Sequence, residues 1–104
     1  MMYLLCFTVP ETHLDMVKHA VFETGAGKVE HYAQCAWQTQ GEGQFLPLEG
    51  SNAFIGEVGK AQKVMEYKVE IVCSSHQIKS AVAALKLAHP YETPAYQVIL
   101  LEEF

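Results

Sequence analysis

The stretch KVMEYKVEIVC, Lys63–Cys73, decides the fold, because apolar and charged residues alternate along it. Successive side chains of a β-strand point to opposite faces, so a period of two predicts a strand with one apolar and one charged face. We expect the apolar face to pack on a core. Its members are Met65, Tyr67, Val69 and Ile71, and the opposite face carries Glu66, Lys68 and Glu70.

A helix is predicted directly after this strand. Ser74 to Gln77 match a capping box, in which the Ser74 hydroxyl caps the helix and Gln77 reaches back. Pro90 ends the helix, because the residue before a proline is pushed out of the helical region. The apolar stripe between them has helical spacing and contains Ile78, Ala81, Val82, Leu85 and Ala88.

The first part of the chain repeats this strand and helix pattern. Met2–Val9 is a nearly continuous apolar run, which is typical of a central strand buried on both faces. Thr12 and Asp15 match a capping box in its shorter-acid form, and Gly25 is a suitable C-terminal stop. The predicted helical stripe contains Leu14, Val17 and Val21, with Ala20 beside them.

Two further strands complete the pattern. From Tyr32 to Thr39 the residues Ala33, Cys35 and Trp37 alternate with polar or small ones, which predicts a strand with one face on the core. Ala95–Leu101 is the last predicted strand. The order β-α-β-β-α-β predicts an α+β fold, a ferredoxin-like sandwich with both helices on one face of an antiparallel sheet. Apolar residues on both faces of the outer strands predict that a partner subunit covers the other face.

A long excursion, Gln40–Gln62, separates the second and third predicted strands. A stretch of this length without structure is uncommon in a compact domain, and it carries large apolar residues that would not stay in water. We therefore expect an ordered excursion, either an extra hairpin or an arm laid on a neighbouring subunit. Its glycines are predicted to form turns and bulges: Gly41, Gly43, Gly50, Gly56 and Gly59.

Composition limits the class of protein. The 104 residues are expected to form one domain, 1–104, and the formal net charge is −5 with no arginine among the seven basic residues. Nucleic acid and membrane surfaces are therefore not expected as partners. The apolar N-terminus is interpreted as a strand rather than a signal peptide. Cys6, Cys35 and Cys73 fall in predicted strands, and three cysteines without a CxxC pair indicate reduced thiols in a cytoplasmic protein.

Four stretches together resemble the YqfO-type domain: GAGKVEHYAQC, GEGQFLPLEGSNAFIG, EYKVE and HPYETPAY. This CutA-like module is inserted in the larger dinuclear-metal proteins related to NGG-interacting factor three, and it also occurs as short chains. The resemblance runs from Gly25 to Leu101. It implies a fold like that of CutA and the PII signalling proteins, and self-association as a homodimer or homotrimer.

The sequence departs from the YqfO-type pattern at three positions. Glu30 stands where a glycine is usual, Leu46 replaces a usual arginine, and Ala53 replaces a usual proline. Losing the arginine weakens the case for an anionic ligand at that loop. The domains that carry the dinuclear metal site of the larger proteins are not expected in these 104 residues, so their proposed metal-dependent hydrolysis is not carried over.

The stretch HPYETPAY, His89–Tyr96, has two interpretations. In the first it is a stiff connector. A cationic His89 is electrostatically favoured at the carboxyl end of the helix, and Glu92 accepts amide hydrogen bonds within the turn. In the second it binds a small ligand through His89, Tyr91, Glu92 and Tyr96. A divalent metal is a possible cofactor here, with His31, Cys35, His89 and Glu92 as the predicted ligands.

The acidic pair Glu66 and Glu70, beside Lys68, also has two interpretations, as paired acids for proton transfer or as a solvated or interface face with cross-strand ion pairs. No arrangement of a nucleophile with a base is recognisable. The resemblance to CutA and the PII signalling proteins implies the main hypothesis, a non-enzymatic oligomeric module with a regulatory or scaffolding role. The alternative is a protein that binds a divalent metal or a small metabolite near His89 and Glu92.

Overall fold

A computed structural model describes residues 1–104, with four strands and two α-helices along the chain. Neither α-helix has the length and hydropathy that a membrane-spanning helix requires. A single 3₁₀ turn, Glu11–His13, precedes the first helix. The elements are β1 Met2–Pro10, α1 Leu14–Phe22, β2 Trp37–Phe45, β3 Gln62–Ser74, α2 Ile78–Ala88 and β4 Tyr96–Leu101.

The strands form one antiparallel sheet in the order β2-β3-β1-β4. Each βαβ unit is split, because β3 lies between β1 and β2, and β1 lies between β3 and β4. This is the ferredoxin-like arrangement, so the predicted fold class is confirmed. β1 is a central strand, as its apolar sequence predicted.

The core lies between the helices and one face of the sheet. Leu5 and Phe7 of β1 stand opposite Ile71 and Val69 of β3, and all four are at most 1% exposed. The helices bury the predicted stripes against this face, which is the main source of their stability. Their buried members are Leu14, Val17, Val21, Ala81 and Leu85, with Ile78, Val82 and Ala88 packed beside them.

The side of the sheet away from the helices is called the open face below. Residues that stand opposite each other on neighbouring strands share a face, so the register defines rows across it. At one end lies an apolar row, Val72–Leu4–Ile99. The next rows are Trp37–Glu70–Cys6–Gln97, then Thr39–Lys68–Thr8, then Gly41–Glu66–Pro10. The open face thus changes from apolar to polar along the strands.

The predicted second strand, Tyr32–Thr39, is placed wrongly. The strand is Trp37–Phe45, and most of it is exposed rather than turned to the core. Glu30 and Gln34 have φ values of +51° and +58°, which break an extended chain before Trp37. Glu30 therefore adopts a backbone conformation that glycine reaches without steric cost. Cys35 lies in this irregular segment, not in a strand.

Of the five glycines in the predicted excursion Gln40–Gln62, the prediction of turns and bulges is right for three and wrong for two. Gly50, Gly56 and Gly59 have φ values of +80° to +92° and lie in turns of segment 46–61. Gly41 and Gly43 instead lie inside β2. Segment 46–61 is called the excursion from here on. It forms no hairpin strands and packs on its own chain.

Neither helix has the predicted capping box. The N-cap positions are His13 and Gln77, and neither makes a side-chain capping bond. Ser74 is the last residue of β3, and its hydroxyl bonds the Gln77 side chain instead of a backbone amide. The predicted helix ends are confirmed. Gly25 has a φ of +95°, and His89 is extended just before Pro90.

Candidate functional site

A cavity of about 900 Å³ occupies the polar end of the open face. Its floor is formed by β2 and β3, its roof by the first part of the excursion, and its rim by the connector 91–95. The register explains the floor, because the rows of Thr39 and Gly41 present only short side chains from β2. Space remains there that larger residues would fill. This is the candidate functional site.

His89 lies beneath the rim and is 6% exposed. The Tyr91 amide donates to Nδ1 at 3.1 Å, so Nδ1 is the acceptor and the proton is on Nε2. Nε2 then donates to the Thr8 carbonyl at 2.7 Å. Burial lowers the pKa of His89 by disfavouring the charged ring. His89 is thus a neutral imidazole with both nitrogens bonded inside the domain, which leaves neither free for a metal.

Tyr91 and Glu66 are joined at the floor of the cavity. The Tyr91 hydroxyl donates to Oε2 of Glu66 at 2.8 Å. Burial first, and then the hydrogen bond and charge of Glu66, raise the pKa of Tyr91. The hydroxyl therefore stays protonated and acts as a fixed donor to the carboxylate of Glu66, a residue that is only 8% exposed. Sequence reasoning assigned Glu66 to a ladder or an acid pair and did not connect it with Tyr91.

Aromatic contacts hold the excursion on the domain. The Tyr91 ring lies 4.9 Å from His89, 6.0 Å from Phe45 and 6.3 Å from Phe54, measured between ring centroids. Phe54 also meets His13 edge to face at 5.2 Å. Such offset and edge contacts are the favourable geometries for aromatic rings. Tyr91 is therefore the centre of a cluster that links the connector, β2 and the roof.

Glu92 provides the polar link between connector and roof. Its Oε1 accepts a 3.0 Å hydrogen bond from the Asn52 amide in the excursion. The predicted bonds from Glu92 to amides of its own turn are not formed. The carboxylate is exposed and joins two loops that are forty positions apart in the chain.

The other predicted site residues lie elsewhere. Tyr96 is on the helix-covered face of β4, opposite Phe7, and Lys86 lies over its ring. His31 is exposed in the irregular segment, and the Cys35 amide bonds the Gly27 carbonyl there. No group of three or more His, Cys, Asp or Glu side chains is positioned to hold a metal ion. The structure thus brings Tyr91 and Glu92 to the cavity, with His89 directly beneath.

The cavity contains no recognisable nucleophile with an activating base. Cys6 lies on the open face but is 3% exposed, and burial and then Glu70 raise the pKa of its thiol. A raised thiol pKa keeps the sulfur protonated and unreactive. Cys6 is therefore not a candidate nucleophile, and the carboxylates and hydroxyls that line the cavity can bind and orient a molecule.

Comparisons of sequence relate the chain to part of a larger protein. No family model matches. The chain is 41% identical over 93 residues to the GTP cyclohydrolase 1 type 2 homolog of Mycobacterium tuberculosis, covering 89% of this chain and 24% of that protein. The homolog of Halalkalibacterium halodurans is 41% identical over 97 residues, covering 93% and 26%. The chain spans about a quarter of the length of the curated relatives it matches.

Comparisons of structure give the same relationship. A Bacillus cereus protein related to NIF3 superposes with a TM-score of 0.83 at 31% identity, covering 98% of this chain and 26% of that one. The periplasmic divalent cation tolerance protein CutA of Archaeoglobus fulgidus has a TM-score of 0.72 at 18% identity, covering 100% and 87%. The chain therefore has the CutA-like fold, and its sequence is similar to one segment of NIF3-related proteins.

Proposed function

We propose that this chain is a YqfO-type, non-catalytic module that self-associates through the open face of its sheet. The similarity to a segment of larger NIF3-related proteins supports a modular role, regulatory or scaffolding. The activities of those larger proteins are not part of the proposal, because the chain matches only a quarter of their length. What carries the proposal is the apolar end of the open face.

That apolar end is exposed in the single chain. In the apolar row, Ile99 is 47% exposed, and in the next row Trp37 is 69% exposed. Val72 and Leu4 lie between them, half-buried on the two central strands. An apolar patch that joins a sheet face to an exposed tryptophan is typical of a protein interface, where aromatic anchors contribute most of the binding energy. A second copy would remove this patch from water.

The edges of the sheet also support self-association. β2 and β4 are the edge strands, and each has one side without a partner strand. Unpaired edges are open to pairing with another chain unless they are protected. β4 is short and carries three exposed apolar residues in succession, Val98, Ile99 and Leu100. A homodimer or homotrimer that covers β4 would protect this edge.

Light scattering coupled to size exclusion tests the proposal at micromolar concentration. We expect the wild-type mass to be that of a dimer or trimer, and Ile99→Asp and Trp37→Asp to shift it towards one chain. The matched control is Leu87→Asp, because Leu87 is 90% exposed but lies on α2, away from the open face. A wild-type mass of one chain across the range would overturn the proposal.

A second candidate function is binding of a small ligand in the cavity. The size of the cavity favours it, because ligand pockets commonly measure about 300–1,000 Å³. Of the residues predicted from the sequence, Tyr91 and Glu92 remain in this proposal as lining residues, and His89 positions Tyr91. A ligand screen by thermal shift tests it, since a ligand at about a hundred times its dissociation constant adds about 2.7 kcal/mol of stability.

A further inference from the structure

One oxygen of Glu66 has no hydrogen-bond partner in the protein. Oε2 accepts from Tyr91, while Oε1 accepts from no donor. Every fully buried side-chain nitrogen and oxygen in the chain has a partner. Oε1 must therefore retain some accessible surface, and the side chain lines the cavity. Glu66 as a whole residue is only 8% exposed, and it thus presents one free carboxylate acceptor to the cavity.

Two glycines of β2 create the space around this oxygen. Gly41 stands directly opposite Glu66, and a Cβ added at Gly41 would meet nothing within 4 Å. Gly43 is two positions further along the same face, and a Cβ there would overlap Oε1 of Glu66. Neither glycine has a positive φ, so the backbone does not require glycine. Their effect is to leave Glu66 accessible from the cavity.

The charges around the cavity have one dominant sign. Four carboxylates line it, and Lys68 is the only basic side chain. Inside a partly enclosed cleft such a difference attracts cations and repels anions more strongly than on an open surface. The four acidic residues are Glu42, Glu66, Glu70 and Glu92.

The roof and one wall are apolar. Phe45 and Phe54 flank Tyr91, and Leu46 and Leu48 lie beside them at the start of the excursion. Leu46, Leu48 and Phe54 are each more than half exposed in the single chain. An apolar ligand body placed here would cover these side chains. The ligand's polar head would then face Glu66 on the floor.

We infer that the cavity binds a small organic cation, an amine or amidine with an aryl or alkyl body. The nitrogen head donates to Oε1 of Glu66, and the body packs on Phe45 and Phe54. Tyr91 is a positioning residue, because its hydroxyl holds the other carboxylate oxygen. This inference rests on the second proposed function, small-ligand binding, and it specifies both the ligand class and the recognising residue.

Isothermal titration with three probes of similar size tests the ligand class. Benzamidine carries a cationic head, benzyl alcohol a neutral one and benzoate an anionic one. We expect wild-type protein to bind benzamidine more tightly than the other two. Glu66→Gln should weaken benzamidine by about tenfold or more, which corresponds to one charge-assisted hydrogen bond. The matched control, Glu49→Gln, removes an exposed carboxylate outside the cavity lining and should leave affinity unchanged.

A second variant keeps the test valid if Glu66→Gln folds poorly. Gly41→Leu retains Glu66, and its Cβ would meet nothing within 4 Å, so the variant should fold. Because Gly41 lines the cavity, the added leucine should fill the space beside Glu66 and abolish benzamidine binding. Ala83→Leu, on the exposed side of α2, is its control. Tighter binding of benzoate, lost in Gly41→Leu, would overturn the ligand class and retain the binding function.

Two other outcomes would contradict the inference as a whole. If no probe binds at millimolar concentration, the inference is wrong, and the proposed binding function is decided separately by the thermal-shift screen. If Gly41→Leu lowers the mass measured by light scattering, a second copy occupies the cavity, and the inference is wrong while self-association stands.

Discussion

The hydroxyl of Tyr91 donates a 2.8 Å hydrogen bond to Oε2 of Glu66, and this bond joins the connector after α2 to the middle of β3. The stretch around Tyr91 is therefore both a connector and a part of the cavity. His89 fixes it from below through the Tyr91 amide, and Phe54 packs against it from the excursion. The two interpretations of this stretch are compatible because different residues carry them. His89 fixes the connector, and Tyr91 and Glu92 line the cavity.

Replacing Tyr91 by phenylalanine should destabilise the domain. The change leaves the buried Glu66 carboxylate without its donor, which costs about 1–3 kcal/mol. Urea unfolding measures the loss. Tyr32→Phe is the control, because Tyr32 is 72% exposed. Equal stability of Tyr91→Phe and wild type would show that the bond contributes nothing.

Alanine at the two β2 glycines should have opposite effects. Gly41→Ala should stabilise the domain by about 0.5–1 kcal/mol, because glycine in a strand loses more conformational entropy than alanine. Gly43→Ala should destabilise it by about 1–3 kcal/mol, because the new Cβ would lie 2.7 Å from Cδ of Glu66 and displace the carboxylate from Tyr91. Chemical unfolding of both variants checks the signs. The penalty of Gly43→Ala should disappear in a Glu66→Ala background, and its persistence there would assign it to another cause.

His89→Ala should weaken the domain without any involvement of metal. It strands the Thr8 carbonyl and the Tyr91 amide, and each unsatisfied group costs about 1–3 kcal/mol. Denaturant midpoints of wild type and variant, each in chelator and in zinc, separate the two readings of this histidine. We expect the variant to be weaker in chelator and zinc to shift neither protein. His76→Ala is the control for loss of the residue type, because His76 is an exposed histidine outside the set of predicted metal ligands. A zinc stabilisation present in wild type and absent in His89→Ala would restore the predicted metal site.

Stability should fall as the pH drops below the ordinary histidine value of 6.5, and His89 should account for part of the fall. The pKa of His89 is lowered first by burial and also by His13, against the opposing effects of the Thr8 carbonyl and Glu66. The unfolded chain therefore binds more protons than the folded domain in this window, so the free energy of unfolding decreases towards acid and the loss levels off below the folded pKa. Urea unfolding between pH 7.5 and roughly pH 5, where histidine titrates, measures the slope of the free energy of unfolding against pH. His89→Ala should show a smaller slope, and an identical slope would contradict the assignment.

The fold could be predicted because its signals are local and periodic. Val69 and Ile71 alternate with charged residues, and Ala81 and Leu85 recur at helical spacing, so strand, helix and core face follow from the sequence. β2 could not be placed in the same way. Its residues Gly41 and Gly43 have low strand propensity, and they are extended only because they pair with β3.

The site was predicted only in part, for a related reason. Tyr91 and Glu92 were noticed because they lie together in an unusual stretch. Glu66 is 25 positions before Tyr91, and nothing in a single strand distinguishes it from Glu70. The register with Gly41 and Gly43 is what marks Glu66, and a register is a property of the folded sheet. The predicted capping boxes at the helix starts were wrong because side-chain capping competes with other local hydrogen bonds, such as that between the side chains of Ser74 and Gln77.

The strand order has a consequence for how the chain reaches this fold. β1 pairs with β3 and β4, so Met2 must meet Ser74 and Phe7 must meet Tyr96 before the centre of the sheet exists. Closing such long loops costs entropy before the new contacts repay it, which slows folding relative to helical proteins of equal length. Only β2 and β3 are neighbours both in sequence and in the sheet. Until β3 and β4 are available, β1 remains an apolar segment without partner strands. At that stage β1 is the segment that we expect a chaperone to bind.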